Sequence, residues 1–383
     1  MKKTLILAAA AAAMLAAHAQ QSTGVKVLEY RPAPGQFVNP LPEFAEGDTY
    51  ADILEKCREQ LDDGLPVHLG AAGGYITLGF GQPIENKRGS DLRILGNAYY
   101  AAADPVFGAA TIGGSIEPGT VWAGVGADPE TAEWYELAGS EYYTTERHNF
   151  KITYRRPTAE DGEHELPYSS CDRYIAFSAS WTEPDGTQRD STGFLMKNSF
   201  HTQTYWPLWS GADEMTFCGS RLPDNAVNYG GTGADGSEAQ YWVLYRYAKD
   251  SYGYADAVPN SDNVYSTFDL DWAVDAQGNP AKLTHADFIR IQTAVLQQCG
   301  WIGETSTEVC GIENLHLQPG YDANPIVITP RQRPSGIGAP TAGAAAPREA
   351  MRLAPDGTRL TKPQRGINII RYADGTTRKV VVK

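Results

Sequence analysis

The sequence predicts an all-β protein: an antiparallel β-sandwich or jelly roll with one short helix, plus a small C-terminal β-hairpin module. Glycine occurs 39 times, tyrosine 21 times and tryptophan 8 times among 383 residues, and these residue types favour turns and sheets over helices. Short apolar runs recur from Val67 onward, separated by glycine, proline and aspartate. Hydrophobic residues make up 42% of the chain, which is enough for a packed core.

The individual elements follow from local patterns. Residues 20–45 are irregular and rich in proline. Strand alternation is clearest over 75–80, and the turn sequences at 184–186 and 277–280 separate later strands. A short helix is predicted over 52–62, because four apolar side chains recur there on one helical face: Ile53, Leu54, Cys57 and Leu61.

Composition divides the chain into four parts. We expect a leader segment at 1–19, a β-sandwich domain at 20–330, a linker at 331–349 and a C-terminal module at 350–383. The linker is rich in proline, glycine and alanine, which leaves it little capacity to form a core. Two strand-like runs around a turn follow it.

The N-terminus has the pattern of a secretory signal peptide. Lys2 and Lys3 supply a positive start, residues 5–17 form a short apolar run, and Ala17-His18-Ala19 is a small-x-small cleavage site. The run is shorter than the ~20 residues of a membrane-spanning helix. We therefore expect a secreted or outer-surface protein without a transmembrane segment.

Charge is distributed unevenly along the chain. The net charge is −14, yet residues 331–383 carry eleven basic and three acidic side chains, so the main domain is strongly acidic. Such a surface repels nucleic acid. It suits a neutral or cationic ligand, or Ca²⁺, although solubility alone is an equal explanation.

Five cysteines are available for disulfides in an exported protein. Cys299 and Cys310 flank a turn-like segment and could pair across a hairpin. Cys171 and Cys218 could pair across two strands, which leaves Cys57 in the predicted helix. The spacings do not match those of zinc-binding motifs.

The C-terminal module contains three short motifs: a turn at 356–360, a glycine and apolar strand within 363–370, and a basic, valine-rich strand at 379–383. In this order they resemble the sorting domain of type IX secretion substrates. The resemblance implies transport across the outer membrane by the type IX machinery, with tail removal and surface attachment. The alternative is a β-hairpin that completes the main domain.

A longer series of motifs runs through residues 30–316, and it resembles a family of Bacteroidetes cell-surface proteins labelled as PKD-domain proteins. The resemblance implies a galactose-binding-like sandwich. Some members lie beside cobalamin-uptake components, which implies corrinoid capture. Residues 124–130 depart from the family, because they lack the alternating oxygen ligands of its calcium-loop-like segment. The matching segments are 32–39, 73–80, 91–98, 117–119, 133–142, 153–154, 253–256, 268–275, 287–289 and 303–308.

The richest aromatic stretch is 200–209, and it predicts a ligand-binding platform. Aromatic faces pack on sugars or on a flat macrocycle, while polar neighbours fix orientation. The alternative is that the tryptophans belong to the core. His201 alone is either a metal ligand or a hydrogen-bonded structural histidine. The predicted binding residues are His201, Tyr205, Trp206 and Trp209.

A cluster of acidic residues between 250 and 275 predicts a cation site. Ca²⁺ takes six to eight oxygen ligands, and no other cofactor is suggested. The sequence at 269–275 reads as a strand with three aspartates on one face. Turn and cap roles, or acid–base catalysis, would explain the same residues. The predicted metal residues are Asp256, Asp269, Asp271 and Asp275.

Catalysis is the less favoured function. Glu304 with Glu308, or Glu133 with Glu136, could form a glycosidase pair, but sequence does not set their separation. None of the common hydrolase or nucleotide-binding motifs occurs. We expect a non-catalytic surface protein that binds a small-molecule nutrient, a corrinoid (cobalamin) or a glycan. The alternatives are a secreted carbohydrate-active hydrolase and a structural surface protein.

Overall fold

The computed structural model describes residues 24–101, 113–158, 164–165, 171–198, 200–230, 241–321, 328, 349–354, 359–372 and 377–382. The chain forms two compact units, Met1–Arg331 and Gln332–Lys383. The predicted signal peptide at 1–19 lies outside the described residues. So does the predicted linker at 331–349, apart from its last residue.

Strands dominate both units, which confirms the predicted all-β class. The first unit contains β1 (Lys26–Arg31), α1 (Tyr50–Asp62), β2 (Val67–His68), β3 (Tyr75–Glu85), β4 (Leu92–Leu95), β5 (Tyr99–Tyr100), β6 (Gly113–Ser115), β7 (Gly119–Val125), β8 (Glu133–Leu137), β9 (Arg147–Arg155), β10 (His164–Glu165), β11 (Cys171–Thr182), β12 (Gln188–Asn198), β13 (Glu214–Arg221), β14 (Ala226–Asn228), β15 (Trp242–Tyr245), β16 (Thr267–Phe268), β17 (Ala273–Val274), β18 (His285–Thr293), β19 (Glu308–Val309) and β20 (Gly311–Asn314). Within the described residues, 3-10 turns lie at Leu270–Trp272, Gly300–Ile302 and Leu315–Leu317.

Helix α1 begins with a capping box. The Thr49 hydroxyl accepts a hydrogen bond from the Asp52 N–H, and the Asp52 carboxylate accepts one from the Thr49 N–H. These contacts satisfy two donors that a helix start would leave unpaired. The helix buries an apolar stripe against the main core, as its sequence periodicity predicts: Ile53, Cys57 and Leu61.

The largest sheet has the strand order β1-β3-β18-β7-β8-β17, and its pairs are antiparallel. Ile76 of β3 lies opposite Ile291 of β18, which in turn lies opposite Val121 of β7. All three side chains are fully buried. This row of β-branched residues anchors the main core.

The second large sheet has the order β10-β11-β9-β13, with β12 paired to β11. Its inner face contributes Ile152, Tyr154 and Phe217 to a separate hydrophobic cluster that also contains Ala72. The Tyr154 hydroxyl donates to the Ala72 carbonyl at 2.8 Å, which ties this face to the loop after β2. The opposite face carries the alternate residues of each strand.

Smaller sheets complete the first unit. They have the orders β14-β15-β6-β5, β16-β4-β20 and β19-β2. The strands are therefore spread over five sheets in a propeller-like arrangement. This is a finer division than the two sheets of a simple sandwich.

The second unit is a four-stranded antiparallel sheet of order β22-β21-β23-β24. Its strands are β21 (Glu349–Leu353), β22 (Arg359–Leu360), β23 (Gly366–Tyr372) and β24 (Thr377–Val382). Asn368 is buried and closes a tight loop, because its amide accepts from the Gln364 N–H and donates to the Gln364 carbonyl. The module is thus β-structured, as predicted.

Across the described ranges, no helix is long and apolar enough to cross a membrane. The thiols of Cys57, Cys218, Cys299 and Cys310 are free. The suggested pairing of Cys299 with Cys310 is therefore not formed, and the Cys299 thiol contacts the Thr305 hydroxyl instead. Cys171 forms part of β11, but its side chain lies outside the description.

Gly70 provides a test of this packing. It has a φ of +71°, and a Cβ there would collide with the Ala33 carbonyl. We expect Gly70→Ala to cost more than the ~1–2 kcal/mol of left-handed strain alone. Gly186 is the matched control, because its φ is +84° and nothing lies within 4 Å of its added Cβ. Equal losses of unfolding free energy in urea would contradict the packing described.

Candidate functional site

The predicted aromatic residues lie mainly in the core. Tyr205 is fully buried, and Trp206 is buried beneath the Arg156 guanidinium, 5.5 Å from its ring centre. Trp209 is half-buried and stacks on Tyr30 at a centroid distance of 5.7 Å. These rings belong to separate core clusters, so the binding platform predicted for them has no shared open face.

The exposed aromatic rings of this region are different ones. Phe200 is 69% exposed and Trp301 is 45% exposed, and their centroids lie 6.5 Å apart. His201 follows Phe200 in sequence and packs edge-on against Phe37 at a centroid distance of 4.6 Å. The pairing of Phe200 with Trp301 joins two distant segments, and sequence reasoning missed it.

Two of the four predicted metal aspartates, Asp269 and Asp275, serve local turns, and a third, Asp271, bonds to a distant segment. Residues 270–272 form a 3-10 turn capped by the Asp269 carboxylate, not a strand. The Asp271 carboxylate accepts a hydrogen bond from the Asn86 amide. Asp275 accepts the N–H groups of a turn, including that of Asn279, and these bonds lower its pKa. The expected common face of Asp269, Asp271 and Asp275 is therefore absent.

Asp256, the fourth, lies elsewhere and has a special backbone. Its φ of +54° is left-handed, a conformation that non-glycine residues keep where surrounding contacts enforce it. Its Oδ1 accepts the N–H groups of Asn97 and Ala98 at 2.7 and 2.8 Å, and its Oδ2 accepts that of Glu308 at 3.0 Å. Three backbone donors thus fix this carboxylate.

We call four buried carboxyl groups the acidic site: Glu117, Asp256 and Glu308, which meet, and Glu304, whose charge acts on Glu117 and Glu308. One oxygen each from Glu117, Asp256 and Glu308 lies within 4.8 Å of the other two. The Glu304 carboxylate accepts the Gln36 N–H at 2.7 Å, while its Oε2 is buried without a hydrogen-bond partner.

His68 borders the acidic site but does not neutralise it. Its Nε2 lies 3.3 Å from a Glu308 oxygen, and its Nδ1 lies 3.0 Å from the Ser306 hydroxyl. Burial, with a smaller contribution from nearby His201, lowers the pKa of His68 to about 3. The imidazole is therefore neutral at physiological pH.

Burial makes these carboxyl groups hard to ionise. It raises the pKa of Asp256 and of Glu304 to about 7. It raises that of Glu308 to about 8, with repulsion from Asp256 adding to the effect. The pKa of Glu117 rises well above its usual value for the same two reasons. Protons or a cation must balance the site, and its oxygens could hold a hard cation such as Ca²⁺.

The acidic site gathers motifs that lie far apart in sequence. Gln36 and Glu304 are 268 residues apart. Sequence alone offers Glu304 with Glu308 as one possible carboxylate pair and Asp256 as a cation ligand, and it gives Glu117 no role. The one sequence signal for Glu117 is its place in the segment 117–119, which is among the motifs of the family resemblance.

A groove of about 660 Å³ lies on the outward face of the second large sheet. It is open to solvent and crosses β9, β11, β12 and β13. Its lining mixes hydroxyl, charged and aromatic side chains, including Thr153, Arg155, Ser178, Thr192, Phe194 and Glu214.

These features define an all-β protein with a buried acidic site and a separate open groove. Comparison with known proteins adds no identity, since no family model and no curated protein matches the sequence.

The raised pKa values predict a pH-dependent stability. A carboxyl group whose pKa in the folded protein lies above its unfolded value of ~4 makes its full contribution to the free energy of unfolding below about pH 4. This contribution is lost as the pH rises through 7–8. His68 has a lowered pKa, so it reduces the free energy of unfolding at acidic pH, but only below its unfolded pKa of ~6.5. We therefore expect the urea midpoint of metal-free protein to fall between about pH 6.5 and pH 8.

Glu308→Gln should make this fall smaller, because it removes one group that must ionise. The control is Asp275→Asn, since Asp275 is exposed to solvent and has a lowered pKa. An unchanged pH profile in Glu308→Gln would contradict the assignment.

Proposed function

We propose that the protein is an exported, non-catalytic binding protein of the cell surface, with the groove on the second sheet as its ligand site. The main structural support is the groove itself. Its volume of about 660 Å³ falls within the ~300–1,000 Å³ typical of ligand sites. The leader-like N-terminus and the tail motifs support export through the type IX machinery.

The groove is chemically suited to a neutral, hydroxyl-rich ligand. Thr153, Ser178 and Thr192 offer hydroxyl groups that both donate and accept hydrogen bonds. Phe194 is 36% exposed and offers a ring face on which a sugar can pack. Arg155 and Glu214 bring opposite charges, so the lining is not selective for an ion of one sign.

A short oligosaccharide fits this lining better than a corrinoid does. The polar side chains are spread along the strands, as hydroxyl recognition requires, whereas a flat macrocycle would need a broader apolar face. Corrinoid capture rests on the family resemblance alone, so cobalamin is included in the binding test.

A second candidate function is hydrolysis at the acidic site. The carboxylate oxygens of Glu117, Asp256 and Glu308 lie within 4.8 Å of one another, which is near the ~5–5.5 Å separation of carboxyl groups in retaining glycosidases. Their burial under backbone donors favours a structural or cation-binding role instead, because a glycosidic bond must reach both carboxyl groups.

Binding at the groove can be tested with Phe194→Ala. We expect it to weaken glycan binding about tenfold, equivalent to about 1.4 kcal/mol, because the stacking face is lost. Phe200→Ala is the control, since Phe200 is an exposed ring that does not line the groove. Calorimetry of each variant with a glycan panel and with cobalamin provides the measurement.

Two results would oppose the proposal. Equal binding by wild type and Phe194→Ala would place the ligand elsewhere. Glycoside turnover that disappears in Asp256→Asn, while groove binding is retained, would instead favour the hydrolase.

A further inference from the structure

A second buried cluster, away from the groove, consists of Glu136 on β8, Glu146, and His148 on β9. One ligand atom from each side chain lies within 4.8 Å of the other two. Glu136 is 4% exposed and Glu146 is 1% exposed. The His148 ring is half-buried, so the cluster lies beneath the surface and His148 forms its outer side.

The His148 ring is held in one tautomer. Its Nε2 lies 3.1 Å from the Tyr142 carbonyl, and because a carbonyl only accepts, Nε2 must carry the proton. Nδ1 therefore presents its lone pair when the ring is neutral. It lies 3.8 Å from the Glu146 Oε1 atom.

The Glu146 carboxylate completes this pattern. Its Oε2 accepts a hydrogen bond from the Tyr254 hydroxyl at 3.1 Å. Its Oε1 is buried and has no hydrogen-bond partner. A buried, unpaired carboxylate oxygen is costly, and this one faces the His148 nitrogen.

Glu136 is oriented in the same way. Its Oε2 accepts a 2.6 Å hydrogen bond from the Ser220 hydroxyl. Burial, followed by the charge of Glu146, raises its pKa well above the usual value. Each of the three side chains is thus fixed at one polar atom by a neighbour. The Glu136 and Glu146 carboxyl groups also hydrogen-bond to each other, so a bound cation would displace the proton that they share.

The backbone of β9 is distorted at this point. Asn149 has a left-handed φ of 53°, and the register shifts on both sides, between Ser180 and Thr182 of β11 and between Gly219 and Arg221 of β13. Bulges of this kind re-aim side chains and are common beside functional sites. Here the bulge adjoins His148.

We propose that Glu136, Glu146 and His148 form a zinc site. One imidazole nitrogen and two carboxylate oxygens are a donor set that Zn²⁺ accepts, and Ca²⁺ prefers oxygen alone. A ligating histidine almost always donates its other N–H to a carbonyl or carboxylate, as His148 does to Tyr142. At bond lengths of about 2.1 Å, neighbouring ligands of Zn²⁺ lie about 3.4 Å apart, so modest side-chain closure completes the site.

The test is metal binding by the whole chain. Protein stripped with a chelator is dialysed against Zn²⁺, and bound metal is counted by mass spectrometry. We expect the wild type to bind about one zinc ion per chain and His148→Ala to bind none. We also expect Zn²⁺ to raise the Tm of the wild type. Parallel dialyses against Mn²⁺ and against Ca²⁺ establish which metal ion the site prefers.

Two further variants keep the test decisive. Glu146→Gln is nearly isosteric, so we expect it to remain folded and to weaken zinc binding at least about tenfold. His285→Ala is the matched control, because His285 forms a surface pair with Asp287 and should leave binding unchanged. Wild-type protein that binds no zinc, binding unaffected by both His148→Ala and Glu146→Gln, or tighter binding of Ca²⁺ than of Zn²⁺ would overturn the proposal.

Discussion

The first unit depends on burying carboxyl groups that face one another. A buried carboxylate is stable only if a cation, a proton or several donors balance it. In the acidic site, backbone N–H groups fix Asp256, while His68 remains neutral beside Glu308. Glu136 and Glu146 repeat the arrangement with hydroxyl donors from Ser220 and Tyr254. Both clusters therefore couple the packing of distant segments to the protonation of buried carboxyl groups.

The sequence predicts local structure better than it predicts either cluster. Helix α1 and the strand at 75–80 follow from short-range periodicity, which the final fold retains. The segment 269–275 alternates like a strand, but Asp269 caps a 3-10 turn through a side-chain bond that alternation does not encode. Local pattern is reliable where burial and propensity agree.

Long-range contacts determine which aromatic rings are buried and which carboxyl groups meet. Tyr205 and Trp206 occur in a stretch that is typical of a binding surface, yet they fill the cluster beneath the second sheet. Glu117 and Asp256 are brought together by the isolated β-bridge between Gly119 and Ala255. A single sequence does not specify such pairings, because period and composition describe only neighbours along the chain.

Buried carboxyl groups of the metal-free protein should carry protons near neutral pH. Infrared spectroscopy of chelator-treated protein measures their protonation, because protonated and ionised carboxyl groups absorb at separate frequencies. We expect a protonated-carboxyl band at about pH 6 that weakens as pH rises past about 8, and weakens less in Glu308→Gln. A spectrum with no protonated carboxyl band at about pH 6 would contradict the account.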